Sequence, residues 1–280
     1  MIARLGPVLA AVVLTASGPA QAAAASAAAQ PVPEVMAALG DSISTGFNSC
    51  GFYVSCTPRS WATGDSGQVN SHYLRLSELS GTLQKHNHNY AVPGATSANL
   101  LAQAKKAVSA KADYVTILIG AQDACVRTEE AMTSVETYRR RLDTALAELR
   151  AGLPRARVFI ASIPDLRRLW QVGKDTPLAR TFWAAGRICQ TMLARPTSTK
   201  RADAERRSRV RDRVMAYNRA AAQACAAYGA NCRTDGGAVF SYPFTLDHVS
   251  RWDYFHPNTS GQAVLARRTY DNGFTWLDPR

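Results

Sequence analysis

A serine near one end of this chain and an acid–histidine pair near the other carry the side chains needed for acyl transfer. Ser42 stands in Leu39-Gly40-Asp41-Ser42-Ile43-Ser44, directly after a short apolar run from Val35 to Leu39. A serine opening the next helix lies among free backbone N–H groups at the positive helix end, which stabilise an oxyanion. Gly40 permits the tight strand-to-helix turn that a bulkier residue would strain. Taken alone this is weak, because a Gly-Asp-Ser turn is more often only a helix cap. Asp253-Tyr254-Phe255-His256-Pro257-Asn258 changes that reading, because it places an acid three residues before a histidine. Within one turn the Asp253 carboxylate reaches Nδ1 of His256, sets its tautomer and leaves Nε2 to take a serine proton. His72 and His248 are other candidate bases, but neither has an acid at that spacing upstream. The chemistry implied is a serine nucleophile, Ser42, with His256 as general base oriented by Asp253.

Positioning these groups requires elements that end where the motifs begin. Asn89-Tyr90-Ala91-Val92 is a second apolar run, stopped by Pro93-Gly94. Val115 to Ile119 is continuous and β-branched, as expected of a strand buried on both faces. Val158 to Ala161 is a fourth run, ended before Pro164. Between them, Leu100 to Val108 and Val135 to Leu149 repeat apolar residues at helical spacing, and Ala-rich Val210 to Tyr228 favours a helix. Alternating strands and helices predict a parallel sheet covered on both faces. Open sheets of this kind bind ligands at the carboxyl ends of their strands, where three of the motifs fall. One domain over residues 34–280 is expected, with a long insertion at 166–209 and no internal repeat.

Arg4, the apolar Leu9 to Leu14, the Gly18-Pro19 break and Ala20-Gln21-Ala22 have the layout of a secretory signal peptide ending near residue 22. The apolar stretch is too short for the roughly 20 residues of a spanning helix. Residues 23–33 then read as an Ala-rich disordered leader. Six cysteines agree with export to an oxidising compartment. Proximity along the chain suggests Cys50 with Cys56 and Cys225 with Cys232, which leaves Cys125 with Cys189. No C-x-x-C is present, and His86 and His88 have no cysteine neighbours, so a structural zinc is not expected.

The formal net charge is +12, or +11 once Arg4 leaves with the signal (12 − 1). That balance favours anionic surfaces such as acidic phospholipid or cell-wall polymer. Much of it lies between Lys200 and Arg213, where the ordinary reading is a solvated helix face. No aromatic residues interleave with these arginines, which argues against a nucleic-acid platform.

Together the blocks resemble the SGNH hydrolases. Gly-Asp-Ser near the mature N-terminus, Gly94 after the second run, Gly120-Ala121-Gln122-Asp123 after the third and Asp253-x-x-His256 occur in the family's order over nearly the whole mature chain. The flanks Ala91-Val92-Pro93-Gly94-Ala95 and Ile117-Leu118-Ile119-Gly120, and Cys125 just beyond the third block, look like the lipase and phospholipase B-like branch. The cysteines and export signal are similar to those of its secreted actinobacterial lipases and esterases. The resemblance implies a three-layer α/β/α sandwich around a parallel, flavodoxin-like five-stranded sheet. It also implies an oxyanion hole of Ser42 N–H, Gly94 N–H and the side chain at position 122, with no cofactor or metal. Glutamine stands at 122 where the family has asparagine. Gln122 keeps the carboxamide but adds a methylene, which moves its N–H by more than about 1 Å unless the backbone adjusts.

The expected activity is therefore hydrolysis of lipid-like or acyl carboxylic esters by a secreted monomer, with phospholipid a serious candidate substrate. A polysaccharide deacetylase would use the same machinery, and Trp61, Trp170, Trp183 and Trp252 are candidates for an acyl groove or a sugar platform, although core packing accounts for most such residues. A reading of another class is a lipid- or cell-wall-binding protein whose catalysis Gln122 has impaired. The G-x-S-x-G elbow, the P-loop and dinucleotide fingerprints are absent from the sequence.

Overall fold

The computed structural model describes residues 1–2, 31–274 and Trp276. The leader features from Arg4 to Ala22, and most of the Ala-rich stretch after them, lie outside the described residues. Five strands form one sheet: β1 (Met36–Gly40), β2 (Asn87–Asn89), β3 (Tyr114–Leu118), β4 (Arg157–Ile160) and β5 (Cys232–Thr234). Their order is β2-β1-β3-β4-β5, and every pairing is parallel. The expected doubly wound parallel sheet is therefore present. The helices are α1 (His72–Ser77), α2 (Leu100–Ser109), α3 (Ala121–Ala124), α4 (Val135–Gly152), α5 (Leu166–Gly173), α6 (Pro177–Ala185), α7 (Gln190–Leu193), α8 (Arg201–Tyr228) and α9 (Thr259–Gly273).

β1 and β3 are buried along their whole length, which explains their largely apolar sequence, interrupted in β3 only by Thr116. The edges read differently. β2 is polar Asn-His-Asn and half-buried, and its chain continues along β1 through Tyr90 N to Ala38 O (2.8 Å) and Val92 N to Gly40 O (3.2 Å). The apolar run at Asn89 to Val92 thus marks the continuation of the edge rather than the strand itself. β5 is only Cys-Arg-Thr, too short and mixed to leave a periodic signal.

α2 packs on α4 and α4 on α8 over one face of the sheet. The other face carries α1 and α9, joined by buried His72. Its Nε2 pairs with Thr269 Oγ1 and its Nδ1 with the Tyr114 hydroxyl, each at 2.7 Å. Burial lowers the pKa of His72 to about 3, with the Arg75 charge adding to the effect. His72 is therefore a neutral core residue, remote from any base role.

Segment 166–209 is mostly helical: α5, α6, α7 and the first turns of α8, which begins at Arg201 rather than Val210. The three disulfides join Cys50 to Cys56, Cys125 to Cys189 and Cys225 to Cys232, as chain proximity suggests. The second ties this segment to the end of α3. The arginines of α8 form a solvated face only in part: Arg201 and Arg209 are exposed, while Arg206, Arg207, Arg211 and Arg213 turn onto protein groups. Arg206 donates to the carbonyls of Gln190, Thr191 and Ala194, and Arg207 to that of Ser198. Arg209 pairs with Glu129, Arg211 with Asp165, and Arg213 donates to Thr133 O. Arg206 and Arg207 fasten α7 and the loop after it to α8 through carbonyls 9 to 16 residues upstream, and Arg209 and Arg213 tie α8 to the segment before α4. Among the described residues no helix is long and apolar enough to cross a membrane.

Candidate active site

β1 ends at Gly40, whose φ of +143° and crowded surroundings admit no side chain. A Cβ there would lie 2.2 Å from Leu118 O in β3. Buried Gln103 of α2 closes the turn: its Oε1 accepts from Gly40 N (2.7 Å) and its Nε2 donates to Gly40 O (2.9 Å). The sequence reading missed Gln103. Its signal was a polar residue inside the apolar face of Leu100, Ala104 and Ala107, where a buried amide must find partners.

Ser42 does not open a helix. Residues 41–47 form a string of turns, with Thr45 N on Asp41 O (3.2 Å) and Phe47 N on Ser42 O (3.0 Å), and Gly46 at φ +64° ends the winding. Poor helix formers in Ser42-Ile43-Ser44-Thr45-Gly46 and the Cys50–Cys56 bridge just beyond account for this. Stabilisation from a helix end is thus not on offer at Ser42, although its own N–H has no protein acceptor among the described residues. Buried Gln262 of α9 fixes the turn from below, donating to Ile43 O at 2.9 Å and accepting from Trp61 N.

The separated motifs meet here. Ser42 Oγ lies 2.8 Å from His256 Nε2, and His256 Nδ1 lies 2.5 Å from Asp253 Oδ2. The carboxylate partner assigns the proton to Nδ1 and leaves Nε2 to accept from the serine hydroxyl. Asp253 also accepts from Phe255 N (2.8 Å), His256 N (3.0 Å) and the Asn48 side chain (2.7 Å). Burial alone would raise the Asp253 pKa. The His256 hydrogen bond and charge, with the two backbone donors, outweigh burial and hold it below the usual carboxylate range. Asn48, with φ +58°, was not legible in the sequence, because its partner is 205 residues away. Ser250 holds it by donating to Asn48 O at 2.8 Å. His248 instead pairs with Thr245 in a capping box, Thr245 N donating to its Nδ1 at 3.1 Å.

Pro93 and Gly94 occupy the middle of a turn closed by Ala95 N on Val92 O (3.0 Å), with Gly94 at φ +79°. Proline then glycine at positive φ is the pattern of a type II turn. Because Val92 bonds to Gly40, this turn lies beside the start of Asp41-Ser42, and Gly94 N–H has no protein acceptor among the described residues. Buried Asp123 ties the turn to α3, accepting from Ser97 N (2.8 Å) and Ser97 Oγ (2.6 Å). Gln122, its neighbour, faces a groove that His256 also lines.

Two recesses flank His256. One is small and apolar, walled by Leu166, Leu169 and Val172 of α5 with Phe244 and Phe255. The other is an open groove of about 400 Å³ lined by Phe47, Phe52, Tyr53, Phe182, Ile188 and Trp252. Trp252 is 49% exposed, whereas Trp61 and Trp183 are core residues. Trp170 donates to Pro196 O and carries Arg207 over its ring. Among the described residues no cluster of His, Cys, Asp or Glu fits a metal ion.

Asp41 is buried behind Ser42, and its Oδ1 accepts from Ile43 N (2.9 Å) while Oδ2 has no partner. Burial raises its pKa from 3.8 to about 7, with Asp123 adding to the rise and Ile43 N–H and His256 opposing it. Between those values the folded chain holds a proton that the unfolded chain has lost. The contribution to stability is therefore full below pH 3.8 and disappears as pH rises to about 7. Asp41→Asn is expected to lack this component. The stability of wild type relative to Asp41→Asn should fall by roughly 4 kcal/mol at most across that window, at about 1.4 kcal/mol per pH unit. Urea unfolding of both proteins across it checks this; parallel pH dependences would count against a buried neutral Asp41.

A doubly wound parallel sheet with a Ser–His–Asp hydrogen-bond chain at the carboxyl ends of its strands defines a class of ester- and amide-cleaving proteins. The profile of the GDSL-like lipase/acylhydrolase family matches residues 38–264, and the chain belongs to that family of ester-bond hydrolases. No curated protein matches the sequence. Similar solved structures include phospholipase A1 from Streptomyces albidoflavus, at 16% identity over 86% of this chain and 99% of that one (TM-score 0.48). The extracellular lipase of Streptomyces rimosus is 17% identical over 85% and 98% (TM-score 0.44). A family 3 carbohydrate esterase from Clostridium thermocellum is 13% identical over 85% and 94% (TM-score 0.49).

Proposed function

We propose that this protein is a secreted serine esterase acting on carboxylic esters with lipid-like acyl chains, and that Ser42, His256 and Asp253 perform the chemistry. The observation that carries the proposal is the continuous hydrogen-bond chain from Ser42 Oγ through the His256 ring to Asp253. His256 Nε2 takes the hydroxyl proton as Ser42 Oγ attacks the ester carbonyl. The oxyanion forms against Ser42 N–H and Gly94 N–H, with the Gln122 carboxamide as third donor. Collapse breaks the bond to the alcohol, which leaves with the proton from His256. Water, deprotonated by His256, then attacks the acyl-enzyme and releases the carboxylic acid, returning Ser42 to its starting state.

The aromatic groove and the aliphatic α5 recess on either side of His256 favour acyl chains over small polar groups. Export is supported by the signal-like leader and by three disulfides that leave no free cysteine among the described residues. Residues 34–280 act as one domain, with the inserted helices as walls of the site.

Hydrolysis of p-nitrophenyl esters from acetyl to dodecanoyl tests the substrate class. An optimum at medium or long chains agrees with the proposal, and a sharp acetyl optimum would favour a polysaccharide deacetylase. An organophosphonate should label Ser42 in wild type, seen as a mass increment on its peptide. An unlabelled, inert protein would favour a non-catalytic binding role. Gln122→Asn is expected to raise kcat about tenfold, since a misplaced donor forfeits part of the roughly 10²–10³ such a contact contributes. A lower kcat would mean that the backbone at Gln122 already suits the longer amide.

A further inference from the structure

The Cys125–Cys189 disulfide is a partition. Both cysteines line the aromatic groove beside His256. Two residues beyond Cys125 and two residues before Cys189, Arg127 and Arg187 line a second, polar cleft of about 550 Å³. Arg187 lines both spaces. The remaining charges of the cleft are largely engaged elsewhere. Arg195 and Arg206 share buried Asp203 at 2.8 and 3.2 Å, and Glu129 is held by Arg209 at 2.6 Å. Among the described residues the guanidinium groups of Arg127 and Arg187 make no ion pair and no hydrogen bond; exposed Glu130, also without an ion pair, lines the cleft with them, so its free charges are two positive and one negative.

Their backbone is not loose. Thr191 donates through N to Val126 O (3.0 Å) and through Oγ1 to Ala124 O (2.7 Å), locking the two bridged segments together. Arg187 and Cys189 both adopt positive φ, +47° and +43°. For residues with a Cβ this costs energy, and it persists where surrounding contacts impose it. The result is a pair of exposed guanidinium groups whose backbone is held in place beside the catalytic groove.

We propose that Arg127 and Arg187 form a subsite for an anionic phosphodiester carried by the ester substrate. The acyl chain occupies the α5 recess, and the alcohol portion runs along the aromatic groove until its charge meets the two arginines. Guanidinium groups suit this role because their donors match phosphate oxygens in pairs. The proposal rests on the ester-hydrolase reading and extends it to anionic phospholipids.

The test compares kcat/KM on monomeric dihexanoylphosphatidylglycerol with that on neutral dihexanoylglycerol. The anionic-to-neutral ratio is expected to fall about tenfold in Arg127→Gln/Arg187→Gln, about the value of one charge-assisted contact. Arg187→Lys should recover part of the ratio. Arg155→Gln, an exposed charge loss elsewhere, should leave it unchanged. A ratio unchanged in the double variant, or equally lowered by Arg155→Gln, would overturn the subsite.

Calorimetric binding of dihexanoylphosphatidylglycerol to Ser42→Ala protein gives an answer independent of turnover. Kd should rise about tenfold when both arginines are removed, even if wild type hydrolysed neither ester. Equal Kd values with and without the arginines would overturn the proposal while leaving the esterase reading intact. Inorganic phosphate binding as tightly as the lipid would overturn it too, showing a free-anion site.

Discussion

Ser42→Ala is expected to lower kcat on p-nitrophenyl butyrate by about 10⁴–10⁶ while leaving the unfolding temperature within a few degrees of wild type. The reason is local. Ser42 is 4% exposed and its Oγ makes one described side-chain contact, with His256, so removing the oxygen deletes the nucleophile without opening a packed core. His256→Ala should cost about as much, and the double variant little more, because nucleophile and base act as one unit. Asp253→Asn should also cost orders of magnitude. An amide at Asp253 turns the partner of His256 Nδ1 from an acceptor of 2.5 Å contact into a group that favours the wrong tautomer. Steady-state rates with thermal unfolding on the same preparations decide the matter. Ser42→Ala activity within tenfold of wild type would sink the assignment.

The second large effect is on folding. Gly40→Ala is expected to destabilise the chain by more than about 4 kcal/mol, enough to remove most of the soluble protein. Its Cβ would fall 2.2 Å from the backbone oxygen of Leu118 and 2.7 Å from Ser44 Oγ, at φ +143°. Gly40 pairs with Leu118 in the register of the two central strands, so relief means separating β1 from β3. Gly94→Ala supplies the contrast. A Cβ there meets nothing within 4 Å, and only its φ of +79° is unfavourable, so the cost should be roughly 1–2 kcal/mol. Denaturant midpoints of the two variants measure the difference; comparable losses would show that steric crowding at Gly40 is not what constrains the turn.

These two glycines illustrate how unevenly the site can be read. Both look like turn residues in the sequence. Only the packing shows that one is hemmed in by backbone and the other faces open space. The arginines between Lys200 and Arg213 make the same point with charge. Their density suggests a solvated face, yet Arg206 and Arg207 are turned inward onto carbonyls of α7 and the loop that follows it. Carbonyls 9 to 16 residues upstream, outside the helix itself, decide that, and spacing along one helix does not report it. The helix expected at Ser42 fails for a related reason. Side-chain types after Ser42 resist winding, and Gly46 stops it under the constraint of the nearby disulfide.

What the sequence by itself determined was whatever depends on near neighbours. The Asp253-to-His256 spacing lets one turn close the pair, and the apolar runs of β1, β3 and β4 name themselves because burial on both faces demands them. Two of the three disulfides span six and seven residues and are legible by proximity, the third by what remains. The tertiary structure alone decided which groups support the chemistry. Asn48 reaches Asp253, Gln103 closes Gly40, Gln262 holds Ile43, and the Cys125–Cys189 bridge sets Arg187 between groove and cleft. Each of these contacts joins residues 60 or more apart. Their partners are chosen by the docking of helices on the sheet, whose free energy comes from apolar burial and carries no mark in the local pattern of polar residues.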